Sequence, residues 1–229
     1  MNHPDNRLRL CASFVRRGAR LADIGTDHAY LPVWLCRSGI CPSAIAADIN
    51  PEPLRRGAMT VAAAGLCDMI TTRLSNGLQA ISADEADDIV IAGMGSELIA
   101  GIISDCAFSH DRTKHWILQP MTKSETLIAW LCDNGYVILR QDCCVAANKC
   151  YTVILAAYTG ESPPRDTLYP YLGELCPREN NTHLRFVRAH LERLRKQAIG
   201  NPRFAALADA LQKETGVLYD NHTGHSELL

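Results

Sequence analysis

From about residue 20 to about residue 158, short apolar runs alternate with segments of helical periodicity. Strands that are apolar on both faces, with helices between them, indicate a parallel sheet that is covered on both sides. The predicted strands span residues 20–24, 44–49, 69–74, 88–92, 115–118, 136–141 and 151–158. The predicted helices between them span residues 28–37, 53–64, 96–103 and 124–134.

The last two predicted strands are joined by a loop too short to contain a helix. Such a connection favours an antiparallel hairpin at one edge of the sheet. Five parallel strands followed by this hairpin are typical of class I methyltransferases, whereas dinucleotide dehydrogenases normally continue with another parallel strand. The pattern therefore predicts an α/β fold of the Rossmann-like class I methyltransferase type, with a seven-stranded, mostly parallel sheet.

Helical patterns also flank this region. A basic helix is predicted over residues 6–17, and a linker is predicted at residues 160–164. A heptad seam follows the linker, formed by Leu184, Val187, Leu191, Leu194 and Ala198. The pattern breaks at Gly200-Asn201-Pro202 and resumes afterwards, which predicts an antiparallel helical hairpin or coiled coil, with a third helix over 168–176. We predict a catalytic domain at 1–159 and a helical appendage at 165–229.

Composition narrows the class of protein. No apolar run approaches the ~20 residues of a membrane span, and the N-terminus lacks a signal-peptide core, so a cytoplasmic protein without a membrane partner is expected. Ten cysteines are scattered through the chain and none forms a C-x-x-C motif. They are interpreted as reduced core residues, and no metal is expected.

Charge is unevenly distributed. Residues 1–20 carry a net charge of +4, residues 183–203 a net charge of +5, and residues 21–160 a net charge of −6. Two basic ends around an acidic middle would suit a catalytic domain flanked by surfaces that bind a polyanion. Solvated helix faces explain the same charges equally well.

The clearest chemical signal follows the first strand, where Asp23-Ile24-Gly25-Thr26-Asp27 forms a glycine turn before a helix. Ligands of such folds lie beyond the carboxyl ends of the strands. Asp27 stands where the second glycine of a G-x-G-x-x-G dinucleotide motif would be. A carboxylate there would repel a pyrophosphate but would suit the cationic groups of S-adenosylmethionine (SAM). The turn therefore favours SAM over NAD.

Other candidate residues follow the later strands. Asp48, beside Ile49, can accept hydrogen bonds from ribose hydroxyls. Asn76-Gly77 is either an adenine contact or a simple tight turn. Gly93-Met94-Gly95 would let the backbone line the space between the methyl group and the substrate, and Gln119 would point its amide into the same region.

Residues 21–32 read LADIGTDHAYLP, and this segment resembles the signature of the bacterial TrmK family, whose members are tRNA (adenine-N1)-methyltransferases that modify adenine 22. Residues 89–95, IVIAGMG, and 117–120, ILQP, resemble two further hallmarks of the family. The resemblance runs from about residue 6 to residue 158. Three positions depart from the family pattern: Ser96 replaces a glycine, Asn76 an acidic residue, and Met121 an asparagine.

The resemblance implies methyl transfer from SAM to N1 of an adenine in tRNA. The residues expected to be catalytic are Asp27, Gly93, Met94 and Gln119. The residues expected to bind the cofactor are Asp23, Gly25, Thr26, Asp27, His28, Asp48, Ile49, Asn76, Gly77 and Gly93. The residues expected to bind the substrate are His28, Tyr30, Arg185, Arg188 and Arg195.

Some alternatives stay open at this point. The substrate is another RNA or a small molecule in one alternative, and the chain is a SAM-binding or RNA-binding module with weak catalysis in another. His28 and Tyr30 are explained equally well as a helix-terminal residue and a packing residue. The heptad seam closes either within one chain or between two, so either a monomer or a weak dimer is compatible with the sequence.

Overall fold

The computed structural model describes residues 5–162 and 165–217, which form one seven-stranded sheet with helices on both faces. The strands are β1 (Leu21–Ile24), β2 (Ala44–Asp48), β3 (Ile70–Leu74), β4 (Asp88–Gly95), β5 (His115–Thr122), β6 (Tyr136–Ala146) and β7 (Lys149–Tyr158). The α-helices are α1 (Asn6–Ala12), α2 (Tyr30–Arg37), α3 (Pro51–Ala64), α4 (Ser96–Ser104), α5 (Ser124–Asp133), α6 (Tyr169–Leu172), α7 (Asn181–Ala198) and α8 (Arg203–Thr215). A short 3-10 helix spans Ala83–Glu85.

The strand order is β3-β2-β1-β4-β5-β7-β6. Strands β1 to β5 pair in parallel, and β7 pairs antiparallel with both β5 and β6. The predicted class I methyltransferase topology is therefore confirmed, including the antiparallel hairpin at the edge. The hairpin turns at Ala147 and Asn148, both of which have positive φ, as a two-residue turn of this kind requires.

The core lies in two layers, one on each face of the sheet. Alternate residues of β1 supply both layers, because Ala22 and Ile24 face one layer and Leu21 faces the other. The first layer packs against α4 and α5 through Ile99, Ile103 and neighbouring apolar side chains. The second layer packs against α1, α2 and α3. Burial on both faces explains why the central strands β1, β2 and β4 are mainly apolar, whereas the outer strands β3 and β6 contain polar residues.

Several predicted boundaries need correction. Strand β4 continues to Gly95 instead of ending at residue 92. Its pairing with β5 is irregular at Gly93 and then continues through Met94 and Gly95. Helix α2 begins at Tyr30 instead of residue 28, because Ala29 lies in the left-handed region with φ of 54°. His28 is therefore not the N-cap of this helix.

The N-terminal helix is shorter than predicted, since α1 ends at Ala12 instead of residue 17. The Ser13 hydroxyl donates to the Leu10 carbonyl oxygen at 2.8 Å, which competes with continuation of the helix. Phe14 and Val15 are nevertheless buried in the second layer, as apolar residues of an irregular segment. The side chain of Arg16, which follows this segment, donates a hydrogen bond to Asp88 at the start of β4.

The predicted helical hairpin consists of α7 and α8. The seam residues Val187, Leu191 and Leu194 are buried against Ala208 and Leu211 of α8, so the seam closes within one chain. The same cluster includes Cys143 of β6, and the hairpin therefore packs on the edge of the sheet. The helix predicted over 168–176 is only the single turn α6, which packs mainly on α5 and also contacts α7 through Tyr171 and Leu172.

All ten cysteines are free, and six of them are buried as the sequence predicts. The prediction of a core position is wrong for Cys67 and Cys176, which are exposed. Within residues 5–162 and 165–217, no helix is long and apolar enough to cross a bilayer. The predicted linker includes residues 163 and 164, which lie outside the described residues. The proposed division into domains stays a prediction.

The Arg16–Asp88 pair yields a test of stability. The Asp88 side chain is completely buried and accepts from both the Arg16 backbone N–H and Arg16 Nε at 2.7 Å. We expect Arg16→Met to lower the free energy of unfolding by about 2 kcal/mol, because a buried carboxylate loses its charged partner. Urea denaturation measures this change.

Arg17→Met is the matched control, because Arg17 is exposed and donates to the Gly39 carbonyl oxygen. Replacing both partners, as in Arg16→Met with Asp88→Leu, should recover much of the loss, since no buried charge then stays unpaired. Equal stability of the Arg16→Met and Arg17→Met variants would contradict the assignment.

Candidate functional site

The candidate site lies where adjacent parallel strands end. The register pairs Ile24 of β1 with Ala47 of β2 and with Ile91 of β4, and it pairs Ala92 with Gln119 of β5. The segments that follow these residues therefore meet at one edge of the sheet, which we call the carboxyl edge. This edge brings together the motifs that the sequence identified separately, as expected for a sheet of this topology.

The first turn of the carboxyl edge requires glycine. Gly25 has φ of 77°, and its N–H donates to the Ala47 carbonyl oxygen at 2.8 Å. The terminal methyl of Met94 occupies the space where a Cβ of Gly25 would lie. A side chain at position 25 would therefore be strained and would also collide with Met94. The contact joins two motifs, one after β1 and one within β4.

Asp23 is a buried carboxylate at this edge, with only 7% of the residue exposed. Burial raises the pKa of Asp23 to about 6; the nearby Asp48 charge adds to the rise and a hydrogen bond with Thr26 opposes it. Within the described part of the chain, Asp23 forms no ion pair with a lysine, arginine or histidine. The edge therefore carries uncompensated negative charge that would suit a ligand with cationic or hydrogen-bond-donating groups.

Asp48 ends β2 and accepts from the Asn50 N–H at 2.7 Å. Ile49, the first residue after β2, is 59% exposed and offers an apolar side chain at the carboxyl edge. Asn76 is exposed after β3, and Gly77 has positive φ and lies close to Ile102 of α4. The tight turn anticipated at Asn76-Gly77 is thus present. The roles of these residues toward a cofactor stay predictions.

Asp27, His28 and Tyr30 form a small group after the glycine turn, in which Asp27 is exposed and the two rings are partly buried. The rings of His28 and Tyr30 stack with centroids 5.0 Å apart, and His28 Nε2 lies 3.4 Å from the Asp27 carboxylate. Asp27 also pairs with Arg56 of α3. The stacked pair presents aromatic and polar atoms to the carboxyl edge, which suits contact with a base, and this role stays a prediction.

Gln119 lies behind the edge and not on its surface. Its side chain is completely buried, and its Oε1 accepts from the Gly93 N–H at 3.1 Å and from Arg7 Nη1 at 3.0 Å. Its Nε2 donates to the Pro120 carbonyl oxygen at 2.8 Å. The expectation that this amide points into the substrate space is therefore corrected, because its acceptor positions are used to hold the tip of β4.

Two departures from the family pattern have local explanations. Ser96 is buried, and its hydroxyl lies within hydrogen-bond distance of the Thr122 and Lys123 carbonyl oxygens, which joins the start of α4 to the end of β5. The Met121 thioether lies 3.4 Å from Arg7 Nη1. A thioether is a weak acceptor and cannot donate, so position 121 has lost the donor that an asparagine would provide.

The arginines of α7 differ in their surroundings. Arg185 is exposed and donates to the Asn148 carbonyl oxygen at 2.8 Å. Arg188 is partly exposed, and Arg195 pairs with Asp209 of α8 at 2.6 Å. Their predicted contact with phosphates stays a prediction. Arg16 and Arg20 of the basic N-terminal segment pair with Asp88 and Asp87, so they are engaged within the fold.

A cleft of about 140 Å³ separates the carboxyl edge from α7. Its lining includes Met121, Tyr151, Phe186, His190 and Arg193. Burial and, to a smaller extent, the charge of Arg193 together lower the pKa of His190 to about 3, so this histidine is neutral at physiological pH.

Sequence reasoning did not identify Arg7, Tyr151 or His190 as site residues. Arg7 was visible only as one of several N-terminal charges, and Tyr151 only as a strand residue. Their proximity to the edge depends on long-range packing. The described residues contain no group of three or more histidine, cysteine, aspartate or glutamate side chains arranged to hold a metal ion.

Comparison with known proteins yields consistent matches. The model of a methyltransferase domain matches residues 5–154. A tRNA (adenine(22)-N(1))-methyltransferase of Bacillus subtilis is 35% identical over 163 residues, which cover 71% of this chain and 67% of that protein.

Solved structures extend the likeness to the helical part of the chain. A Streptococcus pneumoniae protein in complex with S-adenosyl-L-methionine is 31% identical, with a TM-score of 0.82 over 91% of this chain and 98% of that chain. M. capricolum TrmK in complex with S-adenosyl-homocysteine is 25% identical, with a TM-score of 0.81 over 94% of this chain and 99% of that chain.

The Asp23 carboxylate yields a test of the site. Its folded-state pKa of about 6 lies above the ordinary value of 3.8, so ionisation costs stability above the folded-state pKa and costs nothing below the unfolded-state value. We expect Asp23→Asn to raise the free energy of unfolding by up to about 3 kcal/mol at pH 7.5, with the gain shrinking as the pH falls toward 4. Urea denaturation of the ligand-free protein at several pH values measures the effect.

Asp27→Asn is the control, because Asp27 belongs to the same turn but its side chain is 63% exposed. It should not raise the free energy of unfolding at pH 7.5, because folding does not remove this exposed carboxylate from water. A destabilised Asp23→Asn protein at pH 7.5 would contradict the account of Asp23 as an uncompensated charge.

Proposed function

The chain belongs to the TrmK family of tRNA (adenine(22)-N(1))-methyltransferases, and from this premise we propose that it transfers a methyl group from SAM to N1 of adenine 22 in tRNA. The observation that carries the proposal is the acidic carboxyl edge, where Asp23 and Asp48 lie together beside the Gly25 turn. The family's motifs converge on this edge.

The residues of the edge fit SAM. The buried charge of Asp23 has no cationic partner among the described residues, and the amino and hydroxyl groups of SAM are donors that would compensate it. Asp48 stands where it can accept from ribose hydroxyls. The exposed Ile49 offers an apolar surface against which an adenine ring would pack. We therefore propose that Asp23, Asp48 and Ile49 hold SAM, with Gly25, Thr26, His28 and the Asn76-Gly77 turn completing the site.

SAM supplies a methyl group on a positively charged sulfur, and transfer forms the N1–carbon bond as the carbon–sulfur bond breaks. Positive charge thereby passes to the adenine. N1 of adenine attacks through an in-plane lone pair and carries no proton, so the chain need not supply a general base. Its task is to hold the base in line, and correct positioning alone can contribute several kcal/mol. We propose that the Gly93–Gly95 backbone and Met94 shape this space and that Asp27 stabilises the positive charge.

The target adenine would have to leave the stack of the folded tRNA to reach the carboxyl edge. The stacked pair of His28 and Tyr30 is an aromatic surface on which such a base would rest. We propose that Arg185 and Arg188 contact phosphates, because they lie on the helix that borders the cleft beside the edge. Arg195 would contribute mainly by keeping α7 and α8 together.

The other proposals are less specific. The intrachain heptad seam favours a monomer, and a substrate of tRNA favours a cytoplasmic location. Loss of the donor at Met121 favours the alternative of weak catalysis, in which the chain binds SAM and RNA but transfers methyl groups slowly.

Transfer to a defined transcript tests the proposed function. We expect incubation with methyl-labelled SAM to label an unmodified bacterial tRNA that carries adenine at position 22, and to leave the same transcript with guanine at that position unlabelled. Scintillation counting of the precipitated RNA measures transfer. Tight SAM binding without label in any tRNA would support the binding-module alternative, and equal labelling of both transcripts would contradict the assigned position.

The salt dependence of binding tests the phosphate contacts. Changing Arg185, Arg188 and Arg195 together to alanine should weaken tRNA binding and reduce the slope of log affinity against log salt by about 2, since each released phosphate contact contributes a little under one. Filter binding at several salt concentrations gives the slope. Arg195→Ala alone is the control for hairpin stability, and an unchanged slope in the triple variant would remove these residues from the interface.

A further inference from the structure

We infer that Arg7 is a positioning residue for methyl transfer, acting through Gln119 on the tip of β4; this inference rests on the proposed function. Arg7 belongs to α1, yet its Nη1 donates to Gln119 Oε1 at 3.0 Å. The same guanidinium nitrogen lies 3.7 Å from the place where a Cβ of Gly93 would be. The N-terminal helix therefore contributes a side chain to the carboxyl edge.

The contact fixes which way the Gln119 amide faces. Arg7 Nη1 and the Gly93 N–H are both donors, so the atom between them has to be the amide oxygen. The amide nitrogen then faces the Pro120 carbonyl oxygen, which is an acceptor. Gln119 is completely buried, so its hydrogen bonds are made to protein groups, and losing one of them is costly. Without Arg7, the oxygen would keep only the weaker, neutral bond to Gly93.

Gly93 is the point at which this restraint reaches the substrate space. Its φ of 82° places the backbone of β4 in a conformation that favours glycine, and the strand pairing is irregular there. The bond from the Gly93 N–H to Gln119 is one of the restraints that join this irregular tip to β5, and it acts at Gly93 itself, where the strand pairing is interrupted. Because the proposed target base lies against the Gly93–Gly95 backbone, displacement of the tip would disturb the alignment of N1 with the methyl group.

Arg7 is itself held in place from the other side. Its Nε and Nη2 donate to Asp5 at 3.1 and 3.0 Å, and Asp5 also accepts from the Leu8 N–H at 3.0 Å as the N-cap of α1. The guanidinium lies 5.4 Å from the centroid of the Tyr151 ring. With its charge paired and only 22% of its side chain exposed, Arg7 is poorly placed to bind a phosphate. A positioning role explains these contacts better.

Steady-state kinetics with tRNA tests the inference. We expect Arg7→Met to lower kcat by about 10- to 100-fold, with the dissociation constant of SAM within about 3-fold of the wild-type value, because Arg7 acts on alignment and not on cofactor binding. Gln119→Met should show a similar loss. The double variant should be no worse than the more impaired single variant, since both residues act through one hydrogen bond. Arg37→Met is the matched control, because Arg37 is the last residue of α2 and lies at the end of the sheet opposite the carboxyl edge. The kcat of this variant should not change.

Three results with the Arg7→Met variant would overturn the inference. They are an Arg7→Met enzyme whose kcat lies within about 2-fold of wild type, an equal loss of SAM affinity, and a rise in KM alone with a smaller salt slope, which would identify a phosphate contact. Multiplicative losses in the double variant would also exclude action through Gln119. An inactive wild-type protein that binds SAM would instead contradict the proposed function, and with it any role of Arg7 in transfer.

Discussion

The parallel register of β2, β1, β4 and β5 is the constraint on which the rest of the structure depends. It brings the residues after Ile24, Asp48 and Ala92 to one edge, although they are far apart in sequence. The contact of the Met94 methyl with Gly25 follows directly from that register. A slip of one residue in any of these strands would turn the edge residues to the opposite face of the sheet.

The chemistry of the edge opposes its stability. Asp23 is a buried carboxylate, and its raised pKa shows that its ionisation lowers the free energy of unfolding. The nearby charge of Asp48 increases this loss. The fold offsets the cost elsewhere, in the continuous apolar layers on both faces of the sheet. A ligand rich in hydrogen-bond donors would stabilise the ionised Asp23 carboxylate when it binds. Part of the binding free energy would therefore come from removing the electrostatic cost of that charge in the free protein.

Local patterns in the sequence predicted much of this arrangement. The strand ends, the Gly25 turn and the antiparallel edge hairpin follow from apolar runs and glycine positions, which are local properties. The sequence also predicted the seam of α7, but not that it closes within one chain on Leu211. Helix α1 ends early because the Ser13 hydroxyl competes for a backbone carbonyl oxygen. The periodicity of apolar residues gives no information about such a bond.

The details of the site were less accessible. Arg7 and Gln119 are 112 residues apart, and their hydrogen bond depends on the packing of α1 against the end of β5. The sequence identified Gln119 but assigned its amide to the substrate space, because a motif gives the position of a residue and not the direction of its side chain. The proximity of Tyr151 to Arg7 likewise depends on the antiparallel edge strands.

We propose that the carboxyl edge delivers a methyl group to an unprotonated ring nitrogen without a general base. Mass-spectrometric analysis of nucleosides from the methylated tRNA, digested at neutral pH to prevent migration of the methyl group, tests this claim most directly. We expect 1-methyladenosine as the product, because N1 attacks through an in-plane lone pair and has no proton to lose. Detection of N6-methyladenosine as the primary product would contradict the claim, because the exocyclic nitrogen has to lose a proton.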